Sequence, residues 1–403
     1  MLCKHSGVFV LSEPLLFQPL DIRGVTLPNR VVVAPMCQYS AEGGYPTAHH
    51  TVHYGQFALG GAGLVIIEAT GVTSDGRITN GCLGLWEDGQ ADALRPIAQF
   101  LKNNGSIPAI QLAHAGRKSA MQRPWHGNGP QTEEDQARGD DIWEPSAPSA
   151  IALDDGWLAP KAMTAQDLKD VRDAFAAAAV RAMNAGFEVV EVHMAHGYLL
   201  HSFLSPISNH REDEYGGNLE GRMQFPFSVI DAVRDVLPGD FPLFVRISAV
   251  DGIEDGWTLD DSVLFARALK ARGVDVIDCS SGGNTAKPTA LGPKRGPGFQ
   301  APFAARIKAE ADIKTQAVGL IRTPQLAEEL LQNGSADLIA LGRQLLYNPS
   351  WPAHAAEQFG AAGNFDDWPQ QYGWWLERWD KSLQAMGETA QPQIGDHYLN
   401  SRN

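Results

Sequence analysis

The sequence predicts an α/β fold, a single TIM (β/α)8 barrel with a loop insertion after strand 3 and a C-terminal extension. Three observations predict it. Eight short apolar runs recur along the chain, alternating with amphipathic helical patterns, as a parallel sheet covered by helices requires. Several helices open on capping signals and close on glycine. Polar, chemically useful residues gather at the C-terminal ends of the runs, where barrels keep their chemistry.

The runs are 30–35 (RVVVAP), 64–69 (LVIIEA), 107–112 (IPAIQL), 188–193 (EVVEVH), 243–248 (LFVRIS), 274–279 (VDVIDC), 315–318 (TQAV) and 337–341 (DLIAL). Thr164 with Asp167 reads as a capping box. Leu168, Val171, Phe175, Ala178 and Ala182 follow at spacings of three and four as one apolar stripe, and Gly186 ends the helix. Thr258 with Asp261, closed by Gly273, repeats the device, and Thr323-Pro324, closed by Gly334, does so again. The rival architecture is a doubly wound sheet. It favours G-x-G-x-x-G directly after a strand, and the chain has none.

Bulk properties narrow the function classes. The 403 residues are 44% hydrophobic and 20% charged, enough for a sizeable core. A net charge of -15 disfavours general nucleic-acid binding. Cys3, Cys37, Cys82 and Cys279 are too dispersed for a zinc ribbon, an iron–sulfur run or a disulfide framework, so no metal is expected and a reducing cytoplasm fits. The first 14 residues are too weakly apolar for a signal peptide. No apolar segment reaches ~18 residues, so no membrane span is expected. The organisation expected is an N-terminal extension over 1–13, a barrel over 14–360 and an aromatic-rich tail over 361–403. Trp368, Trp374, Trp375 and Trp379 in that tail suit docking on the barrel or on a neighbouring subunit. Residues 121–149 read as a long polar loop, either a solvated insertion or a lid.

His193, His196 and Tyr198 leave the end of strand four within six residues. Two neutral imidazoles and a phenol can bind a carbonyl or nitro oxygen, and the phenol can deliver a proton. Ordinary loop residues or a metal site are the alternatives, although no third ligand of similar clarity is present. Gly319 and Gly342-Arg343 end strands seven and eight, where barrels often bind phosphate. Arg246 lies in an apolar strand and needs a carboxylate or an anionic ligand. Gln111 offers a donor and an acceptor to a heterocycle edge. Cys37 alone reads as a small buried group, and Arg117 and Lys118 read as a solvated pair.

The segments APMCQYSAEGG, GGAGLVIIEATGV, IQLAHAGRK, EVVEVHMAHGYLLHSFLSPISNHREDEYGGNLEGR and ALGRQLLYNP together resemble the old yellow enzyme family, in order over residues 14–352. Cys37, Tyr39 and the ending PQQYGWWLERW resemble its xenobiotic reductase A branch. The resemblance implies a barrel that holds FMN without a covalent link, with NADPH or NADH as hydride donor. It implies an ene-reductase in which hydride passes from the flavin to the β-carbon of an activated alkene (enone, maleimide or nitroalkene). His193 and His196 match the pair that binds the activating oxygen, and Tyr198 matches the proton donor to the α-carbon. Cys37 matches the cysteine that tunes the flavin, and Tyr39 a second phenol over the substrate. Pro35, Met36, Cys37, Ala69, Gln111 and Arg246 match flavin contacts; Gly319, Gly342 and Arg343 match the phosphate site. Trp375 matches an aromatic that shapes the substrate pocket, in some relatives that of the adjacent subunit. A homodimer or homotetramer is expected. Val318 stands near where some relatives place a tryptophan, so substrate preference does not carry over. A larger iron–sulfur relative needs a cysteine cluster that residues 343–403 lack. A non-redox lyase or aldolase barrel and an inactive scaffold are further rivals.

Overall fold

All eight predicted runs form strands: β1 Val31–Val33, β2 Leu64–Gly71, β3 Ile107–Ala113, β4 Val189–Met194, β5 Leu243–Ser248, β6 Val276–Ser280, β7 Lys314–Val318 and β8 Leu338–Leu341. Each pairs in parallel with the next, and β8 returns to β1, so the sheet closes into a barrel. The structure, a computed structural model, describes residues 14–286, 289, 291–361, 365–366 and 368–388. The predicted N-terminal extension over 1–13 and residues 389–403 of the tail lie outside the described residues.

The connecting helices are α1 Ala48–Leu59, α2 Asp88–Asn103, α3 Ala165–Asn184, α4 Leu219–Val236, α5 Leu259–Ala271, α6 Ala301–Ala311, α7 Pro324–Gln332 and, after β8, α8 Trp351–Phe359. The capping boxes form as the sequence predicts. Thr164 and Asp167 bond reciprocally at the start of α3, as Thr258 and Asp261 do at α5. Gly186, Gly273 and Gly334 all take positive φ just past their helices. The predicted α3 stripe is buried, with Phe175 fully so. Truncating such a phenylalanine to alanine typically costs about 3–5 kcal/mol. One box departs from the usual chemistry: at α1 the Thr47 N–H donates to His50 Nδ1 at 3.0 Å.

Period-two alternation divides each strand between two cores. One face packs on the helices. The other fills the barrel with Val32, Leu64, Ile66, Ala109, Val189, Phe244, Val276, Leu338 and Ala340. A hairpin, Leu20–Ile22 with Val25–Leu27, adds Ile22 and Leu27 to that interior beside Leu64, Val189 and Val276, which lie at strand starts. It plugs the N-terminal end and leaves the other end for chemistry.

The insertion is a folded unit rather than an irregular polar loop. It holds a short helix, Glu133–Ala137, and a two-residue strand, Ser146–Ala147, paired with Lys161–Ala162. Asp135, fully buried, accepts from Gln122 and Thr132, and Arg123 clasps Asp140 with 2.8 and 2.9 Å contacts. Local pairing of charges supplies the order that apolar periodicity does not. The tail contains a helix α9, Gln370–Ala385, with Tyr372, Trp374, Trp375 and Trp379 exposed.

Candidate active site

The C-terminal end of the barrel brings most of the predicted residues together. His193 ends the inward row of β4, and the chain then turns through His196 at φ +62° and Gly197 at +75°. That turn folds Tyr198 back: the His193 ring lies 5.1 Å from His196 and 5.0 Å from Tyr198, centroid to centroid, each nearly perpendicular. Cys37, Tyr39 and Tyr198 pack on one apolar cluster with Ala69, Cys82, Ala113 and Met121. Trp125 of the insertion meets Tyr39 edge-on at 6.2 Å, and Arg123 Nε donates to the Tyr39 carbonyl. The insertion therefore lies on the Tyr39 side of the site.

The imidazoles stay neutral. Burial, then the charge of Arg246, holds both His193 and His196 well below the usual histidine range. His193 Nδ1 accepts the Ala195 N–H at 3.1 Å, so its proton sits on Nε2. Burial raises the phenols of Tyr39 and Tyr198, and it raises the Cys37 thiol with a further push from Glu68. The donors in this cluster are neutral, protonated groups.

A polar layer lies beneath. Gln111 on β3 and Glu191 on β4 are register partners, and Gln111 Nε2 donates to Glu191 Oε1 at 2.8 Å. Arg246 is the register partner of both His193 and Asp278, and its Nε lies 3.0 Å from Asp278 Oδ2. The carboxylate partner expected for Arg246 is thus Asp278. Glu68 anchors the β1 loop: it accepts the Gln38 N–H and the Tyr54 hydroxyl, each at 2.9 Å.

At the β7–β8 corner, Gly319 takes φ +121°, and a Cβ there would lie 2.9 Å from the Phe299 ring, so only glycine fits. Gly342 caps the short helix Arg343–Tyr347 and faces Met36 Sδ. The Arg343 side chain is exposed, with no ion pair or hydrogen bond among the described residues. Pro35 is part-buried after β1. Trp375 stands apart from the cluster, 66% exposed on α9 and packed edge-on against Trp374.

Arg117 and Lys118 are a correction to the sequence reading. They are not a solvated pair. Arg117 is buried and donates to the carbonyl and side chain of Asn284. Lys118 Nζ donates to the carbonyls of His196 and Gly283 and lies 5.1 Å from the Tyr198 ring. Burial lowers its pKa to about 8. Ser248, Ser280, Glu191 and Asp278 also escaped the sequence reading. A signal existed for the acids: each is a lone charge at an inward position of an otherwise apolar strand.

The arrangement fits a planar heterocycle with an anionic tail. Glu191 Oε2, a buried polar atom with no hydrogen-bond partner among the described residues, lies in the layer below the imidazoles. The amide of Gln111 and the guanidinium of Arg246 offer the donors and acceptor that an isoalloxazine edge takes, and Arg343 stands free for a phosphate.

Comparison with known proteins agrees. Residues 15–361 match the NADH:flavin oxidoreductase / NADH oxidase family. The chain is 47% identical over 350 residues to an NADPH dehydrogenase of Geobacillus sp. (strain WCH70), covering 86% of this chain and 95% of that protein. It is 46% identical over 351 residues to an NADPH dehydrogenase of Geobacillus thermodenitrificans (strain NG80-2), with the same coverage. Its fold is similar to morphinone reductase, with a TM-score of 0.71 at 27% identity over 88% of this chain and 91% of that one. It is also similar to an old yellow enzyme homologue from Zymomonas mobilis, with a TM-score of 0.69 at 26% identity over 87% and 94%. The chain belongs to the NADH:flavin oxidoreductase / NADH oxidase family, that of old yellow enzyme, as a flavin oxidoreductase driven by NAD(P)H.

Proposed function

We propose that this flavin oxidoreductase is an ene-reductase acting on activated alkenes such as enones, maleimides and nitroalkenes. The observation that carries the reading is the cluster of two neutral imidazoles and a protonated phenol at the mouth of the barrel. FMN, bound without a covalent link and reduced by NADPH or NADH, supplies the hydride that ends on the β-carbon. His193, through Nε2–H, and His196 hold the substrate's carbonyl or nitro oxygen, where negative charge grows as the alkene is reduced. Tyr198 gives its hydroxyl proton to the α-carbon on the opposite face. Tyr39 and Cys37 border the substrate, and Cys37 tunes the flavin. Pro35, Met36, Ala69, Gln111 and Arg246 hold the ring system, while Gly319, Gly342 and Arg343 hold the phosphate.

Trp375, exposed in the single chain, closes the pocket of a neighbouring copy in a homodimer or homotetramer. A cytoplasmic location follows from the dispersed cysteines, and no helix among the described residues is long and apolar enough to cross a membrane. The test is NADPH oxidation with 2-cyclohexenone, with the product analysed. Cyclohexanone is expected in a one-to-one ratio with NADPH consumed. NADPH consumption that yields no saturated ketone from any enone, maleimide or nitroalkene refutes the reading.

A further inference from the structure

Three side chains from three elements hold His196, and none has a role in the sequence reading. The His196 N–H donates to Ser248 Oγ at 2.9 Å, and Ser248 in turn donates to the Gly282 carbonyl at 2.8 Å. Lys118 takes the His196 carbonyl. These contacts fix the backbone in its left-handed conformation. The ring is held separately: its Nε2 lies 2.7 Å from Ser280 Oγ, at the end of β6.

A neutral imidazole carries one N–H, and the bond made at one nitrogen decides which nitrogen bears it. At His193 a backbone N–H makes that choice and leaves Nε2–H as the donor. At His196 the partner is a hydroxyl, which can give or accept. Were Ser280 the acceptor, His196 Nδ1 would be a bare lone pair. It would then repel the same negative oxygen that His193 is protonated to bind. Ser280 is buried and has no second hydrogen-bond partner for its hydroxyl among the described residues, so nothing competes for its proton. We propose that Ser280 donates to His196 Nε2 and thereby sets the tautomer with hydrogen on Nδ1. Ser280 is then a positioning residue that turns His196 into the second donor to the substrate oxygen. Its consequence rests on the reductase reading; the tautomer itself does not.

The test uses flavin-loaded protein labelled with 15N-histidine, with the His196 signals identified by their loss in His196→Asn. The native protein is expected to show Nδ1 protonated and Nε2 bare at His196. Ser280→Ala is expected to give a mixture of tautomers and to weaken binding of 4-hydroxybenzaldehyde about three- to tenfold, the equivalent of one net hydrogen bond. Ser280→Thr, which keeps the hydroxyl, restores both. A native protein with Nε2 protonated at His196 overturns the proposal, as does Ser280→Ala with nitrogen signals unchanged. The nitrogen readout needs no substrate, so it fails or succeeds separately from alkene reduction.

Discussion

Replacing Glu68 by glutamine isolates a single buried charge, and the structure sets the size and sign of the effect. Burial raises the Glu68 carboxyl from its ordinary 4.5 to about 7, against the bonds it accepts from Gln38 and Tyr54. Below 4.5 the carboxyl is protonated in both folded and unfolded chains. Between 4.5 and about 7 only the folded chain keeps the proton, so stability falls as pH rises through that window. Above about 7 the contribution is constant. At about 1.36 kcal/mol per pH unit, the window is worth roughly 3 kcal/mol. Three buried histidines act in the opposite sense. His50, His53 and His114 are lowered from 6.5 to about 4, mainly by burial, so stability rises with pH over that interval. A difference between two proteins removes the His53 and His114 parts, and His50, whose Nε2 lies 3.5 Å from Glu68 Oε1, stays neutral across pH 5 to 8. Glutamine keeps the shape: its carbonyl accepts the Gln38 N–H, while its NH2 faces the Tyr54 oxygen and the His50 Nε2–H, a cost that does not vary with pH and so shifts the whole curve without changing its slope. Urea midpoints of native protein and Glu68→Gln, measured from pH 5 to 8, are expected to diverge, with the variant gaining on the native by up to about 3 kcal/mol. Parallel curves would falsify the assignment of that proton to Glu68.

Three further outcomes follow from the same geometry. On the reductase reading His193→Ala removes one donor to the substrate oxygen, typically about 2.7–4 kcal/mol. Stopped-flow traces should show alkene reduction slowed about 100- to 1,000-fold and flavin reduction by NADPH much less affected; equal losses in both half-reactions count against the role. On the reductase reading Cys37→Ala alters a thiol beside the flavin by about one net hydrogen bond, ~0.5–1.5 kcal/mol, or about 10–30 mV for a two-electron couple. An unchanged midpoint potential sinks the tuning role. Gly283→Ala places a Cβ 2.6 Å from His196 Cα at φ +88°. It should lower the melting temperature and weaken binding of the probe 4-hydroxybenzaldehyde together, and native-like affinity would show that the β6 loop does not position His196.

The sequence makes the barrel legible because most of its strands are buried on both faces and so are mainly apolar. The capped helices are legible because Thr-x-x-Asp and a trailing glycine state local backbone geometry. The imidazole–phenol cluster lies within six residues of one strand end, close enough to be seen as a group. Its supports are not. Lys118 reaches His196 across 78 residues and Ser280 reaches it across 84. Only strand register brings them together, and register is invisible until the barrel closes. The insertion misled for a related reason: its order comes from buried Asp135 and the Arg123–Asp140 pair, which carry no hydrophobic period. Trp375 has no local signal for where its ring goes, and on α9 it stays exposed beside Trp374.

Two cations, Arg246 and Lys118, act on the site. Arg246, Asp278 and Glu191 share the barrel interior, one guanidinium with two carboxyls. Burial raises the Asp278 carboxyl, and the Arg246 guanidinium in contact with it opposes that rise. Burial first and Asp278 second raise Glu191, and a second buried carboxylate there would lack a cation of its own. With Glu191 protonated the layer is close to neutral, yet Arg246 remains the nearest charge to act on the two imidazoles. Lys118 differs. Its ammonium bonds two carbonyls, has no carboxylate partner among the described residues, and faces the Tyr198 ring. At neutral pH it remains charged, since its pKa stays near 8. The uncompensated positive charge at the mouth is thus on the β3 side, next to the phenol and behind His196. That is where the substrate oxygen, on the reductase reading, takes up negative charge.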